Sequence, residues 1–349
     1  MKTVNHLIIL FLFYCILFGL SGCDHDITMG STVYEDGSID RTIVLYEADS
    51  SDAFRNILDA NEARGWEVVI EPAWRTAEEK EKQNNITLKK HFASVMDANE
   101  EMNRDVDTLF QIRSTFEKKN RWFYTYMEYT DTYASLDRFK AISQKDYFTA
   151  EDYTFISRLP AEGKPIEKAD SLYLARLNEK IFDVYGTRTI YEELFNLTLE
   201  TMGEYKVPSN WKDSLLAKKE HIYQKFVQEG GEENDDLVSV ADFLKIPLSP
   251  EAREDIRLKS KEVERRINFV SEASSGKFTH NILMPWTVVD TNADSVSNHS
   301  LYWHPPVVKF LLTDYTMTAR SRKMNVWAVA VSGVVVVLTV GLFFMRRKR

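Results

Sequence analysis

Cysteine is the scarcest chemistry-bearing residue in this chain: 349 residues contain only Cys15 and Cys23. Cys15 lies inside an N-terminal apolar run, so the body beyond it can form no intramolecular disulfide and its fold must rest on packing. A Gly-rich phosphate loop, a Gly-x-Ser-x-Gly elbow and a His-Glu-x-x-His pair are also missing. With them go the ready signatures of nucleotide binding, serine hydrolysis and zinc proteolysis. No catalytic residue, metal ligand or cofactor is therefore assigned.

Positive charge is in deficit, with 44 Lys and Arg against 53 Asp and Glu. The body is more acidic than the total suggests. Every carboxylate lies between positions 23 and 322, whereas Lys2, Lys323, Arg346, Arg347, Lys348 and Arg349 lie outside that span. Such a surface repels phosphate backbones at long range and argues against a nucleic-acid partner, although a local basic patch is compatible with it. The 44% hydrophobic and 28% charged composition is that of a globular chain. Long hydrophobic runs are confined to the two ends.

At the first end, Lys2 precedes the apolar run of residues 7–20, and Ser21 and Gly22 are small. This is the charge, apolar core and small-residue order of a secretory signal, and the run is short for a spanning helix. The stretch Leu20-Ser21-Gly22-Cys23 resembles a lipobox, in which the thiol of Cys23 takes diacylglycerol and the chain is cut before it. Two or more acyl chains, at about 0.8 kcal/mol per buried methylene, anchor stably. Asp24 resembles the signal that keeps some lipoproteins in the inner membrane.

At the other end, residues 326–345 carry no charge, include eight valines, and precede Arg346-Arg347-Lys348-Arg349. Twenty residues at about 1.5 Å rise match the thickness of a hydrocarbon core. The basic tail places that end in the cytoplasm and Trp327 near the opposite interface. Together the ends predict a body outside the bacterial cytoplasmic membrane, with helix and acyl chains in one bilayer. Ala328 and Ser332 form a small-xxx-small pair, and Gly333 and Gly341 lie about two turns apart, a face through which a homodimer could form.

Between the anchors, residues 27–34 and 39–46 flank Glu35-Asp36-Gly37-Ser38, which predicts a two-residue hairpin turn at Asp-Gly. Ser51 is placed to cap a helix with Phe54, Ile57 and Leu58 on its apolar face, stopped by Gly65. Strands follow at 66–70 and around Ile86, Leu88 and Phe92, with Lys90 as an exception in their phase, and then a short helix at 98–104. In residues 122–133, Trp122, Tyr124 and Tyr126 alternate as an aromatic core or ligand face, with Tyr129 out of phase. From 134 to about 278 the spacing becomes helical. Examples are Leu174, Leu177, Ile181 and Tyr185, and later Trp211, Leu215, Ile222 and Phe226. A capping box at Thr149 and Asp152 and the Ser249-Pro250 start support the change. Strands return at 278–283, 287–290, 301–304 and 307–319.

The predicted fold is α+β, a mostly antiparallel sheet interrupted by a helical insertion, with one C-terminal transmembrane helix. The expected organisation is a signal peptide at 1–22, a membrane-proximal α+β domain formed by 23–133 and 276–322, the insertion at 134–275, the membrane helix at 326–345 and the basic tail at 346–349.

The lipobox, the hairpin around Glu35-Asp36-Gly37-Ser38, the late strands with Asn281-Ile282-Leu283-Met284-Pro285 and residues 298–303, and the final helix together resemble LppM-like bacterial lipoproteins. The likeness covers about half of the chain and leaves out the insertion. It implies an envelope domain beside the membrane that binds amphiphiles or protein partners, and it brings no catalytic residues.

Three weaker constellations remain. Asp290-Thr291-Asn292-Ala293-Asp294 begins like a calcium loop, but Ser295 stands at the glycine position and Leu301 at the bidentate-glutamate position, so a polar turn is expected. His280, His299 and His304 lack zinc spacing and are read as packed or surface histidines. Glu192-Glu193 and Asp235-Asp236 could supply an acid and base to a hydrolase, or form a solvated face.

Overall fold

A computed structural model describes residues 26–73, 84–229 and 248–347. Alternation in the first segment produces β1 (Ile27–Val33) and β2 (Ile39–Ala48), an antiparallel pair. Their connection is one residue longer than expected. Gly37 N–H donates to the carbonyl of Tyr34 at 3.1 Å, and Tyr34 N–H to that of Ser38 at 3.0 Å. Glu35 and Asp36 are thus the central turn residues, and Gly37 takes the left-handed position after them, at φ 93°. A Cβ at Gly37 would also lie 3.1 Å from the Phe116 ring. Gly37→Ala is therefore expected to lower stability by about 1–2 kcal/mol, the cost of a left-handed L-residue, readable as a drop in the thermal midpoint.

The helix expected after Ser51 does not form. Asp49 caps a single 3-10 turn, Ser50–Ala53. The Asn56 side chain then gathers the backbone, donating to the carbonyls of Asp52 and Ala60 and accepting from the N–H groups of Leu58 and Ala60. That local alternative out-competes the helix. Ile57 and Leu58 still reach the core, while Phe54 is exposed.

β3 (Glu67–Pro72) and β4 (Asn84–Phe92) follow, then α1 (Val95–Met102), capped by Ser94. Lys90 keeps the buried phase of β4, because its ammonium reaches the Arg64 carbonyl at 2.6 Å and the Glu101 carboxylate at 3.1 Å. β5 (Ile112–Asn120) and β6 (Tyr124–Tyr133) form the next hairpin.

The helical insertion contains α2 (Ala150–Arg158) with the Thr149–Asp152 capping box, α3 (Lys168–Glu179), a π-helical turn (Lys180–Gly186), α4 (Thr187–Glu204), α5 (Ser209–Glu229) and α6 (Pro250–Ser275), capped by Ser249. Tyr191, Leu194, Phe195, Leu215, Ile222, Ile256 and Val263 give α4 to α6 a core of their own. Phe155, Ile156, Leu177 and Phe269 join the core of the sheets.

β7 (Phe278–Leu283), β8 (Thr287–Thr291), β9 (Ser295–Ser297) and β10 (Ser300–Trp303) complete the return. The single strand expected over 307–319 is instead a short helix, α7 (Val308–Leu311), followed by β11 (Tyr315–Met324). Buried Val308, Phe310 and Leu311 place three large apolar side chains within four residues. A helical turn can aim them inward together, whereas a strand would alternate them.

Among the described residues the strands make two sheets. One has seven strands in the order β3-β4-β2-β1-β7-β10-β9, and the other has four, β5-β6-β11-β8. Among the described residues all pairs are antiparallel except β1 and β7, which run parallel with Ile27 beside Phe278. The fold is thus α+β with two antiparallel-dominated sheets, a helical insertion and one long apolar C-terminal helix, α8 (Val326–Arg347).

Candidate membrane junction and buried ionic cluster

Between the sheets lies a charge pair that the hydrophobic pattern alone does not require. On β2 the inward phase is Ile39, Arg41, Ile43 and Leu45, all fully buried. Across from it, β6 turns Thr125, Met127, Tyr129, Asp131 and Tyr133 inward. This reverses the expected phase of β6. Tyr129 lies on the buried face, Tyr124 and Tyr126 lie on the outer one under Arg322 and Arg320, and Trp122 belongs to the turn before the strand. Tyr124 and Tyr126 therefore do not form the buried aromatic face weighed for this strand, either as core or as a ligand groove.

Arg41 and Asp131 are both 0% exposed and meet in a two-pronged pair, Nη1 to Oδ2 at 2.8 Å and Nη2 to Oδ1 at 2.7 Å. Ser31 on β1 and Ser114 on β5 donate to the same carboxylate, at 3.0 and 2.6 Å, and the Tyr129 hydroxyl adds a bond at 2.8 Å. His280 on β7 places Nε2 3.1 Å from Asp131 Oδ2, outside hydrogen-bonding geometry, while its Nδ1 is 2.7 Å from the Tyr133 hydroxyl. Burial alone would push the Asp131 carboxyl up, but the Arg41 guanidinium holds it well below the usual carboxylate range. Burial likewise opposes the Arg41 charge, and Asp131 more than restores it. No member of the Arg41, Asp131 and His280 group meets solvent, so this cluster joins two sheets rather than receiving a substrate.

His280 gives the cluster a pH signature. Burial pushes its pKa below the ordinary 6.5, against the pull of Asp131. Below about pH 6.5 the unfolded chain therefore binds a proton that the native ring refuses, so stability falls as pH falls through that value. Asp131 adds to the loss only below the ordinary carboxylate value of 3.8. Unfolding midpoints of the full chain are expected to drop between pH 7 and pH 5, and His280→Gln to flatten that slope. An unchanged slope would mean that His280 is not the group responsible.

The second feature is the junction with α8. Only Asn325 separates β11 from the helix, with neither glycine nor proline between them. Asn325 is 9% exposed. Its N–H donates to the Phe123 carbonyl at 2.8 Å, its Nδ2 to the Arg121 and Trp122 carbonyls at 2.7 and 3.2 Å, and its Oδ1 accepts from Thr125 at 2.9 Å. The sheet is thereby locked to the first turn of the helix. Of the residues expected at the anchors, Trp327 stands on that first turn and Arg346 and Arg347 on the last, about 28 Å apart along the axis. Cys23, Lys348 and Arg349 lie outside the described residues. An 18-residue window of the helix has a mean hydropathy of 2.5, and the helix is long enough to cross a membrane.

The remaining candidates are spoken for locally. Asn292 Oδ1 accepts from Trp303 Nε1 and Thr318 N–H, its Nδ2 donates to the Thr316 carbonyl, and Asp294 accepts from His304 N–H, so this turn is held by backbone and side-chain bonds. No group of three or more possible metal ligands occurs among the described residues. Glu192 is buried between Arg188 and Lys219, and Glu193 accepts the N–H groups of Lys140 and Ala141. Asp235 and Asp236 lie outside the described residues. Two surface hollows, of about 380 and 290 Å³, are open and carry polar side chains on their rims. Tyr34, Asp36 and His91 line the first, and Thr28, Thr42 and Asn281 the second.

The class defined so far is a two-sheet α+β body ending directly in one apolar helix, a membrane-associated domain. It has a weak, partial structural resemblance to the NMR structure of the folded domain of the Mycobacterium tuberculosis protein LppM. Identity is 8% and the TM-score 0.29, over 86% of this chain and 91% of that one. No family model and no curated protein matches the chain.

Proposed function

We propose that the chain is an envelope lipoprotein anchored by acyl groups on Cys23 and by α8, whose acidic body serves as a binding or scaffold module outside the bacterial cytoplasmic membrane. The observation that carries this reading is the junction. A body bonded through Asn325 to an apolar helix of 22 residues has no linker on which to wander, so it works at a fixed place beside the bilayer. The lipobox at Cys23 and the cationic end of α8 support the export and the orientation. The partner surface on this reading is the helical insertion, where Leu172, Leu216 and Leu258 are each about half exposed. Its partner is an envelope protein, and nucleic acid is no part of the reading. The test is pull-down of the full chain from detergent extracts, set against a Leu172→Glu, Leu216→Glu variant. An envelope protein retained by the first and lost from the second supports the proposal, and recovery of the bait alone from both counts against it.

Homodimerisation through α8 is narrowed by one contact. Ser332 accepts a hydrogen bond from Trp122 Nε1 at 2.9 Å, and Ala328 is fully buried, so this pair is already covered within the chain. Gly333 and Gly341, with no atom within 4 Å of an added Cβ, are left as the close-approach positions.

A further inference from the structure

The tip of the β5–β6 hairpin presents Arg121, Trp122 and Phe123 to the outside, with Trp122 53% and Phe123 47% exposed. Two adjacent large aromatic side chains at a turn are a poor surface for water, yet nothing about this tip is loose. Its backbone is bonded to Asn325, the Trp122 ring lies edge-on to Trp327 at 5.3 Å, and its Nε1–H donates to Ser332. Ser332 is six residues into α8, about 9 Å along the axis from Val326. The Trp122 indole therefore runs beside the first two turns of an apolar helix. Cations gather behind it on an otherwise acidic body: Lys118 and Lys119 on β5, and Arg320, Arg322 and Lys323 on β11. Lys119 pairs with Glu117 and Lys323 with Glu35, whereas Arg322 lies over the Tyr124 ring.

We propose that this tip is a second membrane-contacting element, in which Trp122 and Phe123 enter the interfacial layer of the bilayer and Arg121 meets its phosphate groups. The proposal rests on α8 spanning the membrane. Whatever lies beside α8 at the level of Ser332 then lies at membrane depth, so the medium around the tip is lipid rather than a protein partner. An indole suits that layer, with an apolar body and one N–H already satisfied by Ser332. Arginine next to it can keep its head in the polar region while its stem lies along apolar surface. A helix alone would leave the body free to tilt with it against the bilayer, and a rigid tip entering the interfacial layer resists that tilt.

The test uses the full chain in vesicles of phosphatidylethanolamine and radiolabelled phosphatidylglycerol, with p-benzoylphenylalanine replacing one residue at a time. The sites are Phe123 at the tip, Val334 within α8, and Leu258 on the exposed side of the insertion. All three are exposed, so the replacements leave the core intact. Illumination is expected to transfer lipid label to positions 123 and 334 and not to 258. Label at 334 without label at 123 would overturn the tip proposal and leave the span standing. No label at 334 would overturn the span and the tip with it. Equal label at 258 would mean general adhesion of the body and would also overturn the proposal.

Discussion

Asp131→Ala is expected to destabilise the body by about 3–5 kcal/mol, because it leaves the Arg41 guanidinium buried without its counter-ion. Against a total stability of about 5–15 kcal/mol for an ordinary domain, that loss leaves little margin. The same physics predicts an asymmetry. Removing both charges at once, in Arg41→Met with Asp131→Leu, avoids the desolvated lone charge and is expected to be less harmful than Asp131→Ala alone. Urea titration of the full chain in detergent, followed by tryptophan fluorescence, measures both. A loss below about 1 kcal/mol for Asp131→Ala would mean that the pair is not acting as a buried charge, since that is the range of exposed pairs. The hydroxyls of Ser31, Ser114 and Tyr129 contribute to the same carboxylate, so the single-residue losses will not add.

The cluster is also where sequence reasoning misread the strand. Hydrophobic alternation identifies a core face by its apolar members, and in β6 the outer face offers Tyr124 and Tyr126 while the inner face is broken by Asp131. Aromatic residues pack well on either side of a sheet, here beneath Arg320 and Arg322 outside, so ring content did not separate the faces. The available signal was the pairing of exceptions. Arg41 stands in the buried phase of β2 and Asp131 in that of β6, opposite charges that satisfy each other only across two sheets. By contrast, Lys90 was legible as a core-phase exception on β4, and its ammonium is in fact held by Arg64 and Glu101.

Local signals survived best. Thr149 with Asp152 and Ser249 with Pro250 start helices because a cap bonds within its own turn. The apolar run of α8 needed only length and composition. The parallel pairing of β1 with β7, whose partners are some 250 residues apart, follows from packing of the whole body and leaves no mark in either segment. Nor did the sequence mark Asn325 as the hinge-free joint, because an asparagine between a strand and a helix reads as an ordinary cap. Only the neighbouring hairpin shows which carbonyls its amide holds.

Anchorage gives the other large expected effect. On the proposed double anchorage, Cys23→Ser or truncation before Val326 should each leave the chain carbonate-resistant in membranes, and the two together should release it. Release by either change alone would refute the second anchor. The sheets add a condition on how both anchors share one bilayer. Ile27 lies beside Phe278, whose ring packs on Tyr133, and Tyr133 pairs with Tyr315 at the end of β11 remote from α8. From Tyr315 to Met324 the strand rises about 30 Å at roughly 3.3 Å per residue. The four steps from Cys23 to Ile27 reach at most about 14 Å. A body standing upright on α8 would hold Ile27 beyond that reach, so attachment to one surface requires the strands to lie within about 30° of the membrane plane, from the same two lengths. Neutron reflectometry of the acylated full chain in a supported bilayer should then find a thin protein layer, and the same chain carrying Cys23→Ser is free to stand taller. An equally thick layer in both, at the height of an upright sheet, would place the two anchors on different surfaces.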